Sequence, residues 1–392
     1  MKKTLLAAAL LAGFAGAASA QSSVTLYGVL DAGLRYQNWN LSSGAFSTAD
    51  VSTSSFAVVS GTQSTSRFGV KGVEDLGSGN QVVWNLEGQV NVNEGTTNSA
   101  GQWSRTSIVG LRNNAWGQID LGRQLNLALK FVGGPIDGAF GVNAPIINIS
   151  GVMGVTAVRQ SNMIMYQSPS LSGFKVGAQY SFNTGLTTAT QAANGKATTD
   201  PVSGSALNTG NNMRNIGGAV SYTNGGIYVT AVYDQFTPAS NTISGGNGGN
   251  VTSWIVAAAY DAKVVKVGLA YNQVRGGLIN GGTASSVSSA ITNPFASGGI
   301  VFAEGAGTNA WNINAIAPVG ANGKVMAAYQ GMAPIGTVAD VGGSTQQTFG
   351  LGYQHALSKR TNVYAIYSYV TNYANIAGLS GNTGTVGLRH SF

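Results

Sequence analysis

The sequence has no cysteine, so neither a disulfide scaffold nor a thiolate site is available to it. Charge is scarce. Asp, Glu, Lys and Arg make up 8% of the 392 residues, against roughly 25% in soluble domains. Histidine occurs twice, at His355 and His390, and neither lies in a recognisable arrangement with a serine and an acid. Glu74 and Asp75 are adjacent carboxylates, but they read as a solvated turn rather than an acid/base dyad. No metal-spaced cluster is present, and the glycines match no phosphate-loop pattern. The formal net charge of +7 is modest and spread out, with no basic run, which argues against a nucleic-acid partner. No cofactor is expected. Past the first 20 residues no apolar run reaches the ~18 residues of a spanning helix.

The N-terminus explains the one long apolar run. Met1-Lys2-Lys3 is a short basic region, 5–18 is apolar, and Ala18-Ser19-Ala20 has the small-x-small form of a cleavage site. Residues 1–20 therefore read as a secretory signal peptide, with Gln21 as the expected mature N-terminus. The rest, 21–392, reads as one domain.

What is abundant is apolar residues, glycine and aromatics: 43% of the chain is hydrophobic, with 57 Gly, 15 Tyr, 13 Phe and 6 Trp. Many apolar residues recur with a period of two. Val82, Trp84, Leu86, Gly88, Val90 and Val92 share one face, while Gln81, Asn85, Glu87, Gln89 and Asn91 share the other. Leu26, Leu30, Leu34 and Tyr36 alternate with Tyr27, Asp31 and Arg35. Phe174, Val176, Ala178, Tyr180 and Phe182 alternate with Lys175, Gln179 and Ser181. The chain finishes in the same way, with Val386, Leu388, His390 and Phe392 opposite Thr385, Arg389 and Ser391. Apolar-out, polar-in strands of ~10 residues are the pattern of a transmembrane β-barrel.

Sixteen such segments are expected, at 24–36, 64–74, 80–92, 104–112, 116–124, 161–167, 173–183, 214–223, 226–236, 251–261, 263–274, 309–317, 323–332, 346–355, 361–371 and 383–392. Their connections alternate between tight turns, such as Asn224-Gly225, and long segments, such as 37–63, 125–160, 184–213 and 275–308. A soluble sandwich has no reason to sort its loops by length, whereas an outer-membrane barrel does. The fold class is all-β, a sixteen-stranded antiparallel transmembrane barrel. Lipid tolerates no open sheet edge, so the last strand must pair with the first. Tyr180, Phe182, Tyr222, Tyr260, Tyr353 and Phe392 lie near strand ends and suit the headgroup level.

Several segments resemble one family. Ser23-Val24-Thr25-Leu26-Tyr27-Gly28-Val29-Leu30-Asp31-Ala32-Gly33 resembles the first strand of the Gram-negative trimeric porins, β-proteobacterial type. Ser66-Arg67-Phe68-Gly69-Val70-Lys71-Gly72, Leu121-Gly122-Arg123-Gln124, Asn162-Met163-Ile164-Met165-Tyr166 and Gly387-Leu388-Arg389-His390-Ser391-Phe392 resemble later strands, in order. The resemblance implies a homotrimeric diffusion pore of the outer membrane for small hydrophilic solutes and inorganic ions. It implies that the third long loop, 124–160, folds into the lumen as a constriction. It also implies contact with membrane lipid and lipopolysaccharide, and a terminal Phe392 read by the barrel-assembly machinery.

Alternation puts Arg35, Arg67, Lys71 and Arg105 on the lumen side, with Arg123 at the end of the fifth strand. Such fixed cations in a narrow channel favour anions. Alternatively, they keep the wall wet and pair with Glu87 or Asp120. The third loop holds a single acid, Asp137, and is otherwise apolar, with Phe131, Ile136, Phe140, Ile146, Ile147, Ile149 and Met153. These residues either pack the loop on the wall or offer a greasy track to a less polar solute. A substrate-specific channel and a surface adhesin remain as alternatives to a general pore. A barrel enzyme lacks its histidine and acid.

Overall fold

The computed structural model describes residues 23–43, 49–98, 101–136, 159–184, 213–238, 249–280, 299–336 and 343–392. The leader and Asp137 lie outside them. The barrel strands are β1 (Ser23–Leu41), β2 (Val51–Ser60), β3 (Arg67–Gly77), β4 (Asn80–Asn91), β6 (Thr106–Asn113), β7 (Gly117–Leu125), β8 (Arg159–Gln167) and β9 (Phe174–Ser181). They continue with β10 (Arg214–Asn224), β11 (Ile227–Thr237), β12 (Val251–Asp261), β13 (Lys266–Asn280), β14 (Gly299–Val319), β15 (Gly323–Gly336), β16 (Gln346–Ala356), β17 (Thr361–Thr371) and β18 (Leu379–Ser391). A two-residue piece, β5 (Thr96–Thr97), caps the top of β4.

Each strand pairs antiparallel with its neighbours. β18 closes on β1, from Val29 opposite Ser391 to Leu41 opposite Leu379. On its other edge β1 pairs with β3 in its lower part, Ser23–Val29, and with β2 in its upper part, Ala32–Leu41. β2 and β3 thus occupy one position in the wall, and the barrel has sixteen.

Period-two burial follows the sequence pattern. On β12, Trp254, Val256 and Tyr260 are exposed to the outside, while Ser253, Ile255, Ala257 and Ala259 are buried inside. On β11 the outward Val229 and Tyr233 alternate with buried Thr230, Val232, Asp234 and Phe236. The outer face is thus apolar and unshielded, as lipid contact requires. Tyr260, Tyr353, Phe182 and Phe392 are all outward and exposed.

Tight turns join the strands at one end. At 225–226, Gly225 has φ +58, a left-handed conformation that favours glycine. At the other end the strands outrun the alternation. β13 and β14 extend as a hairpin through 275–280 and 299–308, where a loop is expected from sequence. β2 lies wholly inside the expected first long loop. These stretches put apolar and polar residues in both parities, with Leu278-Ile279 and Ile300-Val301-Phe302 in the hairpin and Val51, Phe56, Val58 and Val59 among the serines of β2, so no clean apolar period marks them.

The barrel closes on Phe392. Its N–H donates to the Gly28 carbonyl and its carbonyl accepts from the Gly28 N–H, both at 3.1 Å. The ring lies flat over Gly28, where a Cβ would come 2.3 Å from Cζ.

Candidate functional site

The barrel interior carries its charge unevenly. Glu87 on β4 is the centre of the largest cluster. Its Oε1 accepts from Arg105 Nε at 2.6 Å, and its Oε2 lies 3.6 Å from Arg67 Nε. Tyr27 donates its hydroxyl to Glu87 Oε2 at 3.0 Å and to Asn85 Oδ1 at 2.9 Å. Lys71 Nζ sits 5.2 Å above the Tyr27 ring. Arg123 donates to the Ser104 carbonyl at 2.7 Å and to Ser161 Oγ at 2.8 Å. A register shift in the β7–β8 pairing between Gly122 and Gln124 lets it do so, and alternation alone could not fix its face. Arg159, at the start of β8, has Arg105, Glu87, Arg123 and Arg67 as its charged neighbours, and its Nε has no hydrogen-bond partner among the described residues. Arg67, Arg105, Arg123, Arg159 and Glu87 together carry a net charge of +3.

Arg159 is the member that sequence reasoning missed. It falls at the end of the third loop, where no period can be read, and pairing of Leu125 with Arg159 brings it back to the wall. Arg35 stands apart from this group. Its Nη2 donates to Thr62 Oγ1 at 2.9 Å, and Asp31 is its charged neighbour.

Among the described residues the interior acids are hidden. Asp31, Asp120 and Asp234 are 0–1% exposed and Glu87 is 9% exposed. Asp31 accepts from Tyr364 Oη and the Ser64 N–H, both at 2.6 Å. Asp120 accepts from Gln118 Nε2 at 2.7 Å, and Lys130 Nζ is 3.9 Å away. Asp234 accepts from Gln179 Nε2 at 2.9 Å and Asn215 Nδ2 at 3.4 Å. Most cations are more open: Arg35, Arg67, Arg123, Arg159 and Arg389 are half-buried and Lys71 is exposed, whereas Arg105 is as hidden as its partner Glu87.

The first part of the third long loop packs on the inner wall. A π-helical turn, Leu129–Gly133, and a short helix, Gly134–Ile136, follow β7. Leu127, Phe131, Val132 and Ile136 are 0–3% exposed and cluster with Met163, Met165, Val232, Ile255, Ala257, Ala259 and Ala270 from the facing strands. The wall is kept shallow for it. A Cβ on Gly177 would come 2.6 Å from Leu127, and one on Gly268 would come 2.3 Å from the Ile136 carbonyl. Tyr228 donates to the Phe131 carbonyl at 2.7 Å, and the Leu127 N–H donates to Gln179 Oε1 at 2.7 Å. For Phe131 and Ile136 this overturns the greasy-track reading, since neither faces the passage. Phe140, Ile146, Ile147, Ile149 and Met153 lie outside the described residues. One signal could have exposed this seat: on 251–261 the inward positions Ile255, Ala257 and Ala259 are apolar, which a wet wall does not need.

A sequence profile described as Gram-negative porin matches residues 7–375. The chain belongs to the Gram-negative porin family. This porin is 38% identical to an outer-membrane porin protein of Bordetella pertussis over the whole of both chains. It is 30% identical to outer membrane porin protein 32 of Delftia acidovorans, also over the whole of both. Among solved structures, an anion-selective porin from Comamonas acidovorans shares its fold with a TM-score of 0.67, at 24% identity, over 95% of this chain and 100% of the other. The porin's place is the outer membrane.

Proposed function

We propose that this porin is a water-filled diffusion pore for small hydrophilic solutes and ions, with a preference for anions. The observation that carries this reading is the difference in access between the two signs of charge. The described interior acids are buried and hydrogen-bonded, while Arg67, Arg123 and Arg159 around Glu87 are only half-buried. A passing ion therefore meets net positive charge close by, and screening over ~8 Å at physiological salt leaves such short-range interaction largely intact. Planar-bilayer recording tests the pore itself. Stable ohmic steps are expected, and a purified, correctly folded but silent barrel would favour an adhesin.

In this reading 124–160 narrows the lumen, residues 1–20 are removed on export, and three copies assemble side by side in contact with lipopolysaccharide. Native and denaturing mass spectrometry of the purified protein checks the last two, with a trimer whose subunits begin at Gln21 as the expected result.

Lys130, on the third loop, gives the selectivity a pH dependence. Burial and the nearby Lys175 lower its pKa to about 8, against the opposing pull of Asp120. The ammonium is held below that pH and lost above it. The chloride-to-potassium permeability ratio is expected to fall as pH rises from 7 to 9. In Lys130→Met that fall should vanish, and an unchanged pH response there would exclude Lys130 as its source.

Phe392 completes the closing seam, and we read it also as the assembly signal. Deleting it removes both hydrogen bonds to Gly28 and the ring that covers that glycine. Folded protein in outer-membrane fractions should drop several-fold, while pores that do form keep their conductance. Wild-type levels of the truncated protein would contradict this.

A further inference from the structure

The wall breaks between β2 and β3, and the break turns inward. β2 ends at Ser60 and β3 begins at Arg67, both on the same edge of β1. The six residues between them leave the wall at Gly61, which has φ +74. Three side-chain contacts carry them over the interior. Thr62, 2% exposed, accepts from Arg35. The Ser64 N–H donates to Asp31 Oδ2. Gln63 Nε2 donates to Gln354 Oε1 at 2.5 Å, and Gln354 lies on β16, three strands away from β1 by way of β18 and β17. The segment therefore lies across the inner face of several strands.

Asp31 pins it. Besides Ser64, the carboxylate accepts from Tyr364 of β17. The Asp31 N–H donates to Ser66 Oγ at 2.9 Å, and the Asp31 carbonyl accepts from Ser66 Oγ at 3.0 Å and from the Gly61 N–H at 2.8 Å. Tyr364 reaches Asp31 by lying over Gly387 of β18, where a Cβ would meet the ring at 2.3 Å. A buried carboxylate is expensive unless its oxygens are occupied, and here both are. Two of its partners are the strands underneath and the inward segment itself, so the arrangement is rigid.

The third-loop segment 127–136 covers the inner face from β8 to β13. Counted round the sixteen wall positions, 61–66 lies on the far side, over β1 and β16–β18. We propose that residues 61–66 form a second, fixed wall of the narrow part of the pore, opposite the third loop. Solutes then pass between the third loop, which carries Lys130, and a neutral hydrogen-bonding segment flanked by Arg35. The partly exposed Ser64 and Thr65 offer hydroxyls that replace part of the hydration shell of a small carboxylate or other hydrated anion, next to the buried Thr62 that holds Arg35. The inference rests on the pore reading above.

Because the chain has no cysteine, single thiols can be placed cleanly. Gln63→Cys and Thr65→Cys are treated, in the bilayer, with thiol-reactive reagents carrying either a quaternary ammonium or a sulfonate. Leu34→Cys, on the lipid face, is the control. Modification of at least one of the two inward thiols should lower single-channel conductance by roughly a third or more. The sulfonate should also reduce anion preference, and the ammonium should raise it. Thiols that label by mass without a change in current, or that do not label at all, would overturn the second wall. Asp31→Asn tests the pin separately, since the amide cannot accept from both Tyr364 and the Ser64 N–H as the carboxylate does. Raised conductance with added current noise is expected, and wild-type conductance and noise would contradict it. If the unmodified porin is silent, it is the pore reading that fails; if it conducts and the thiols have no effect, only the second wall does.

Discussion

Replacing Arg123 and Arg159 together with glutamine should cut the chloride-over-potassium permeability ratio by about tenfold. A unit charge ~6 Å from a passing ion, at an effective dielectric between 40 and 80, is worth about 0.7–1.4 kcal/mol, or roughly 3–10-fold in local ion concentration. Two such charges, partly screened, give the stated effect. These two arginines are chosen because neither forms an ion pair with a carboxylate among the described residues, so their loss leaves no acid stranded. Arg67 and Arg105 are poorer choices, since both lean on Glu87. The reverse change is informative. Glu87→Gln keeps one acceptor oxygen for Arg105, leaves Tyr27 its bond to Asn85, and raises the cluster by one positive charge. It should increase anion preference. If the double arginine variant and Glu87→Gln move the ratio in the same direction, net charge around Glu87 does not set selectivity.

Phe131→Ala combined with Ile136→Ala should free the base of the third loop and raise both conductance and current noise. Such truncations cost about 3–5 and 2–5 kcal/mol at fully packed sites. Here both side chains are 1–3% exposed against Met163, Met165, Val232 and Ile255. The barrel itself should hold, because its strands are joined by backbone hydrogen bonds that the loop does not touch. The unheated electrophoretic form in detergent should therefore survive while the electrical behaviour changes. Unaltered conductance and noise in a correctly folded double variant would show that the loop is not held by this cluster.

The barrel was legible in the sequence because lipid imposes a rule on every second residue. Val82, Trp84 and Leu86 against Asn85 and Glu87 could hardly be read otherwise, and the turn at Asn224-Gly225 marks its strand end chemically. Legibility stops where lipid stops. The hairpin extension of 275–280 and 299–308 and β2 stand where neither face is required to be apolar, so their pairing leaves no period. The site was legible only in part, for a related reason. Parity places Arg35, Arg67 and Lys71 inside, but grouping them needs strand tilt and register. Arg67 and Arg105 meet through Glu87, whereas Arg35 turns instead to Thr62. Arg159 looked like a loop residue, 61–63 looked like the end of a loop, and 64–66 looked like the start of a strand that in fact begins at Arg67. Each owes its place to long-range partners, the Leu125 pairing and the Asp31 carboxylate, which no local pattern encodes.

The most direct test of the account is the zero-current potential of the wild-type porin in a planar bilayer with a tenfold KCl gradient at pH 7. Open arginines and hidden acids require a potential of the sign set by chloride crossing more readily than potassium. A potential of the opposite sign, showing clear cation preference, would contradict the account.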